Sequence, residues 1–331
     1  MINYQNKKGF TEHIYLVIEL IIMKSIDIVI VNWNSQDYLR ECILSISQIR
    51  GNIKISVIIV DNNSTDTSLD NIDNPNIYLP LTILKNNRNL GFGTACNQGA
   101  NLSKADYLLF LNPDTKLCHN SIQEAMEFLE NPDNSEIGIC GAQLLNDDGS
   151  INPSCSRFPN PKCTIATMFG LQYLFPKTFS KQQMVEWDHR NNCVVDQVMG
   201  AFFLMRRSLF EELGGFDERF FVYFEEVDLS LRAKSKGWNS YYLSDSQIYH
   251  KGGGTTENIR GISLFYYLRS RILYGYKHFG FFSATILLIG TLIIEPFSRI
   301  IQSFKTKSKK EFLGVLQAYT CLYLWCLGLN K

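Results

Sequence analysis

Unbroken apolar runs alternate along the chain with stripes of helical period. "IDIVIVNWN" (26–34) and "ISVIIVD" (55–61) are continuous and rich in β-branched residues, the pattern of strands buried on both faces. Between them, "SQDYLRECILSISQI" puts Leu39, Cys42, Ile43, Ile46 and Ile49 on one helical stripe, with Ser35 as its N-cap. The alternation continues with a weaker strand at 78–86, a small-residue helix at 93–103 and a strand "YLLFLNPD" at 107–114. A helix at 121–130 and a strand at 137–145 follow. This order predicts an α/β fold, a mostly parallel sheet flanked by helices. Residues 146–195 hold four of the nine prolines and read as a loop-rich insertion. Regularity returns with a glycine-closed helix "SLFEELGG", a helix "EEVDLSLRAKSKG" ending at Gly237 and a strand within 241–254. After Gly261 the chain reads as aromatic, basic and apolar helix.

Composition adds a division of charge. The net charge is zero, but residues 262–331 carry nine Lys/Arg against Glu295 and Glu311, a balance of +7 that leaves −7 on the rest. An acidic body with a basic, apolar tail points to a membrane surface rather than to nucleic acid. Residues 279–294 and 312–329 carry no charge and are marginal in length for a bilayer. A hairpin of short membrane-embedded helices, in-plane association, and a helical domain packed on the body all stay open. The nine cysteines show no CxxC pair and no zinc spacing, so scattered reduced thiols and a cytoplasmic setting are expected. "IYLVIELII" (14–22) is interrupted by Glu19 and directly precedes Met23, so residues 1–22 read as an N-terminal extension rather than an anchor.

The candidate chemistry lies in three acidic clusters and one histidine. Pro113 cannot donate to a sheet ladder, so Asp114 is presented at a strand end, where α/β proteins hold ligands. It could bind a hard divalent cation, or merely cap the next helix. Asp61 shares that ambiguity. In "FEEVDLSLR", Glu225, Glu226 and Asp228 crowd a helix start, where anions are favoured. One of them could be a general base tuned by burial and like charge. Arg232, four residues after Asp228, can pair with it. His250 precedes Lys251 and three glycines and reads either as a metal ligand or as a core residue.

Six motifs occur in one order: "IVIVNWNS", "VIIVDNNSTDTS", "NRNLGFGTACNQGA", "LFLNPDT", "GAFFLMRRSLFEELGGFDERFFVYFEEVDLSLR" and "YHKGGGTT". Together they closely resemble the family 2 inverting glycosyltransferases of the GT-A fold, especially the rhamnosyltransferase-like branch. The resemblance covers about residues 24–275. It implies a Rossmann-like GT-A domain over 23–261, with a nucleotide-binding half at 23–145 and an acceptor and catalytic half at 146–261. Residues 262–331 would form a C-terminal helical, membrane-associated region. It also implies roles: Asn32 and Asp61 for the nucleotide, and Asn89 and Asn97 for ribose or phosphate. The Asp-x-Asp metal element appears as Asn112-Pro113-Asp114, one charge short, with His250 as a further ligand to Mg2+ or Mn2+. Glu226 would be the base, with Glu225 beside it. The implied reaction moves a sugar, rhamnose first, from a dTDP- or UDP-sugar to a hydroxyl of a polyprenyl-linked glycan at the inner membrane face, in cell-surface polysaccharide synthesis. A homo-oligomer is compatible with the sequence. Two rivals share the fold: a sugar-nucleotide nucleotidyltransferase, whose glycine-rich basic loop is not found in "VNWNSQDYLR", and a degenerate carbohydrate-binding protein, for which Asn112 argues.

Overall fold

A computed structural model describes residues 23–70, 72, 79–169, 171, 175, 178–179, 181–252 and 260–329. The expectations for 1–22, and for Gly253 and Gly254, lie outside the described residues. The chain runs β1 (Ser25–Asn32), α1 (Asp37–Ser47), β2 (Lys54–Asp61), β3 (Leu81–Lys85), α2 (Phe92–Leu102) and β4 (Tyr107–Leu111). It continues with β5 (Thr115–Leu117), α3 (Ser121–Glu130) and β6 (Ile137–Leu145). The former insertion supplies β7 (Ile151–Asn152), β8 (Cys155–Ser156), α4 (Pro161–Met168) and β9 (Cys193–Val195). Then come β10 (Gln197–Val198), β11 (Phe202–Arg206), α5 (Arg207–Glu212), α6 (Glu225–Ser235) and β12 (Asn239–His250). Four helices follow: α7 (Arg260–His278), α8 (Phe281–Ile293), α9 (Glu295–Lys305) and α10 (Lys309–Cys326).

The main sheet has the order β3-β2-β1-β4-β11-β6-β12-β5, with β7 on β6 and β9 on β12. β1 to β4 are mutually parallel, and β6 is parallel to β12. β11 enters antiparallel between β4 and β6, with Phe202 opposite Leu111 and Leu204 opposite Cys140. The unbroken apolar runs have the expected cause. Alternate residues of β1 serve opposite layers: Ile26, Ile28 and Ile30 share one buried cluster with residues of α1 and α3, and Val29 and Val31 share another with residues of α2 and α6. The α1 stripe buries Leu39, Cys42, Ile43 and Ile46, with Ile49 at its margin. Gly99 of α2 lies so close to β1 that a Cβ there would collide with Val29.

All nine cysteines are free thiols. Burial pushes Cys42 and Cys140 up to about 12, which keeps them protonated core groups. Among the described residues no single helix is long and apolar enough to cross a membrane. The C-terminal helices pack on one another through Leu268, Ile272, Ala318 and Leu322. They also reach the body: Tyr274 of α7 joins Phe220, Phe224 and Val227 in one buried cluster.

Candidate active site

Because β1, β2, β4, β6 and β12 run the same way, their carboxyl ends share one sheet edge. Asn32 and Asp61 face each other there in register. Asn32 Nδ2 donates to Asp61 Oδ1 at 2.8 Å and also lies 3.0 Å from Ser64 Oγ and 2.9 Å from Ser68 Oγ. The Ser35 hydroxyl donates to Asn32 Oδ1. Both ends of Asn32 are thus occupied, so it orients Asp61 and the following loop. Ser35, expected to cap α1, is not its N-cap: Gln36 holds that position without a side-chain bond. The buried amide at the end of β1 claims the hydroxyl first.

The break in "LNPDT" is shorter than expected. β4 ends at Leu111, but the chain re-enters the sheet at Thr115, which pairs with His250. Asn112 N–H donates to Ala201 O (3.1 Å), and Lys251 N–H donates to Asp114 O (3.2 Å). Register therefore sets Asp114 beside His250, with Oδ1 3.4 Å from Nε2. His250 is buried, and its Nδ1 finds no partner among the described residues. A cavity of about 510 Å³ opens here, lined by Tyr38, Glu41, Asp114, Lys116, Tyr249 and Lys251.

The other carboxylates sit at the start of α6. Tyr223 and Phe224, just before it, both have left-handed backbones (φ 67° and 71°). Each costs about 1–3 kcal/mol and needs surrounding structure to hold it. Phe224 is held against Tyr267 and Tyr274 of α7, and Phe221 stacks on Tyr266 at 4.3 Å. Phe221 O accepts from Phe92 N–H (2.6 Å), which ties this turn to the start of α2. Glu225 is buried, and the Oε2 atoms of Glu225 and Glu226 have no partner among the described residues. Burial, then the charge of Glu226, pushes Glu225 well above the ordinary glutamate range; burial also raises Glu226. Cys96 of α2, buried beside them, is pushed up by burial and then by their charge. Behind Phe224 lies a cavity of about 170 Å³ lined by Arg157, Phe158, Lys181, Tyr267 and Tyr274.

Asp228 differs from its neighbours. It is fully buried and accepts from Arg232 Nε (2.7 Å), Lys277 Nζ (2.6 Å) and His278 Nε2 (2.8 Å). Burial alone would raise it, but the bonds from His278 and Lys277 and the charge of Arg232 hold it below the ordinary carboxylate range. A carboxylate so occupied anchors α7 to α6. The Arg232 partnership was legible; Lys277 and His278 carried no signal beyond two basic groups at the end of a long helix. Asn97 is also committed elsewhere. Its Nδ2 donates to Phe216 O (2.9 Å) and Glu218 Oε1 (3.0 Å), and its Oδ1 accepts from Phe216 N–H (2.9 Å). It fastens that loop instead of reaching a ribose. Asn89 Oδ1 accepts from Gly91 N–H (2.9 Å) and shapes the turn before α2. Asp114 and His250 are thus brought together, as are Glu225 and Glu226, while among the described residues no hydrogen bond joins the two pairs. Among the described residues no group of three or more His, Cys, Asp or Glu side chains gathers as a metal nest.

Comparison with known proteins completes the picture. The family description Glycosyl transferase family 2 matches residues 27–214, and Glycosyl transferase family group 2 matches 177–329. An N-acetylglucosaminyl-diphospho-decaprenol L-rhamnosyltransferase of Mycobacterium tuberculosis is 26% identical over 276 residues, spanning 78% of this chain and 87% of that protein. Rhamnosyltransferase WbbL of Escherichia coli is 27% identical over 145 residues, 44% of this chain and 52% of that protein. Among solved structures, a mannosyltransferase of Pyrobaculum calidifontis, in complex with GDP-Man and Mn2+, superposes with a TM-score of 0.53 at 12% identity. That match covers 90% of this chain and 86% of that one. S. aureus TarS 1–349 with UDP-GlcNAc gives 0.52 at 15% identity, over 90% and 82% of the two chains. At such identities the likeness is one of fold, and the fold is GT-A.

Proposed function

The chain belongs to glycosyl transferase family 2, and on that premise we propose that it moves a rhamnosyl group from a nucleoside-diphosphate sugar to a hydroxyl of a lipid-linked glycan, inverting the anomeric centre. The names of the mycobacterial and E. coli relatives support rhamnose, and the former supports a polyprenyl-diphosphate-linked acceptor. The observation that carries the chemistry is the pair of partnerless buried oxygens on Glu225 and Glu226. A buried carboxylate oxygen left unpaired costs stability, and it is tolerated where it has work to do. Glu226 removes the proton from the acceptor hydroxyl as that oxygen attacks the anomeric carbon, while the nucleoside diphosphate leaves from the opposite face. Glu225 is raised by burial and then by the charge of Glu226, so a second negative charge beside the base is disfavoured. The aromatic and basic wall behind Phe224 suits a sugar diphosphate on the acceptor side.

Asp114 and His250 fit a divalent cation. Their nearest ligand atoms lie 3.4 Å apart, beyond a good hydrogen bond. Adjacent ligands on an octahedral cation, at about 2.1 Å from it, stand about 3 Å apart. Asp114, His250 and the Asn112 carbonyl oxygen would hold it, with diphosphate oxygens completing the shell. Such a cation, when bound, neutralises charge on the departing diphosphate. The test is a panel of sugar nucleotides offered with a polyprenyl-diphosphate-linked N-acetylglucosamine, with and without Mg2+ or Mn2+. Rhamnosyl transfer from one donor supports the reading. Transfer of another sugar overturns the donor assignment, and donor binding without any turnover favours a carbohydrate-binding protein.

A further inference from the structure

The outer faces of α8 and α9 carry one apolar stripe. Phe282, Ile286, Ile289, Ile293, Phe297, Ile301 and Phe304 follow one another at intervals of three or four residues, straight across the break between the helices. All are exposed, Phe282 at 82% and Phe297 and Phe304 at 66%. The opposite face is spent on the protein: Ala284, Leu287, Gly290 and Thr291 are buried. At the elbow, Glu295 is buried in an ion pair with Arg271 of α7 and accepts from Arg299 at 2.7 Å. Directly beyond the stripe, Lys305, Lys307, Lys309 and Lys310 are all exposed.

We infer that α8 and α9 lie in the plane of an anionic bilayer surface, with the stripe sunk among the acyl chains and the four lysines on acidic headgroups. Three observations select this occupant. An apolar stripe ending in a dense basic cluster is complementary to a negatively charged lipid surface. Spanning is excluded by length, since the 13 residues of α8 extend only about 20 Å against a hydrocarbon core of about 30 Å. Spanning as a pair, bent by 41°, would also strip both helices from the body and break the buried Arg271–Glu295 pair. The inference rests on the lipid-linked acceptor for its purpose, since a chain held flat on the bilayer meets that substrate at its own depth.

The test is flotation of the full chain, without donor or acceptor, on vesicles of phosphatidylcholine alone or mixed with phosphatidylglycerol. The chain should float with the mixed vesicles and at least about tenfold less with the neutral ones. Phe282→Ser, Ile289→Ser and Phe297→Ser together should weaken partitioning at least about a hundredfold. Lys305→Glu with Lys307→Glu should weaken it about tenfold and remove most of its salt sensitivity. Transfer to a water-soluble acceptor analogue should stay unchanged in both variants. Failure of the wild-type chain to float on any vesicle overturns the inference. So does unchanged partitioning of the triple variant, or a dimer by light scattering that the triple variant alone dissolves. A chain that floats but transfers no sugar refutes the reading of the activity and leaves this one standing.

Discussion

The two halves of the site are built by different means. At the sheet edge, Asp61 pairs with Asn32 in the adjacent strand, and Asp114 is set one residue before Thr115, the register partner of His250. At the turn before α6, Glu225 and Glu226 follow two left-handed residues and depend on aromatic side chains of α7, some fifty positions later. Groups set by register are robust, because moving one means slipping a strand out of its pairing. Groups set by a strained turn are exposed to whatever supports it. The first kind suits binding, where a fixed frame is enough. The second suits a base that needs an unpaired oxygen in a desolvated place.

The deepest break should come from removing the base. Glu226→Gln is expected to lower transfer about 10²–10⁴-fold while donor affinity, by calorimetry, stays within twofold of the wild type, about the noise of the method. Next comes the support of the turn. Asp228→Ala leaves Arg232, Lys277 and His278 facing an empty buried space and should cost about 3–5 kcal/mol in denaturant unfolding. A cost under about 1 kcal/mol would detach α7 from the argument. On the sheet edge, Asp114→Ala should abolish the metal dependence of donor binding and weaken it about a hundredfold, with unfolding little changed. Gly91→Ala probes the seam between the halves. Gly91 has φ +89°, and a Cβ there would lie 2.9 Å from Phe221 Cα. It should cost about 2–4 kcal/mol and lower turnover more than donor binding.

The smallest effect is one of pH. Glu225 and Glu226 are raised in the folded chain, so between the ordinary glutamate value and their own the folded state binds more protons than the unfolded. Stability should therefore fall as pH rises through that window. Glu225→Gln should flatten the slope, and an unchanged slope would mean that the pair is not the source.

Much of the sheet edge was legible, and little of the turn. Strands β1, β2, β4 and β6 announce themselves because burial on both faces writes an apolar run into the sequence. Asp61 and Asp114 could be picked out as acids ending such runs. The three-residue β5 and the antiparallel entry of β11 could not, because both are defined by partners far away in sequence. Ser35, Asn97 and Asp228 all have partners that the sequence does not show. A polar residue near a site looks free until the structure shows which neighbour has already taken its bonds. The left-handed Tyr223 and Phe224 were invisible, since aromatic residues are poor candidates for that backbone and only the packing of α7 makes it stable there.

That dependence has a bearing on synthesis. The turn carrying Glu225 and Glu226 is complete only when Tyr267, Tyr274, Lys277 and His278 are in place. On the proposed function, a nascent chain that has emerged only as far as β12 would carry the donor-side residues without the side chains that hold its base in place, and turnover would await the last helices.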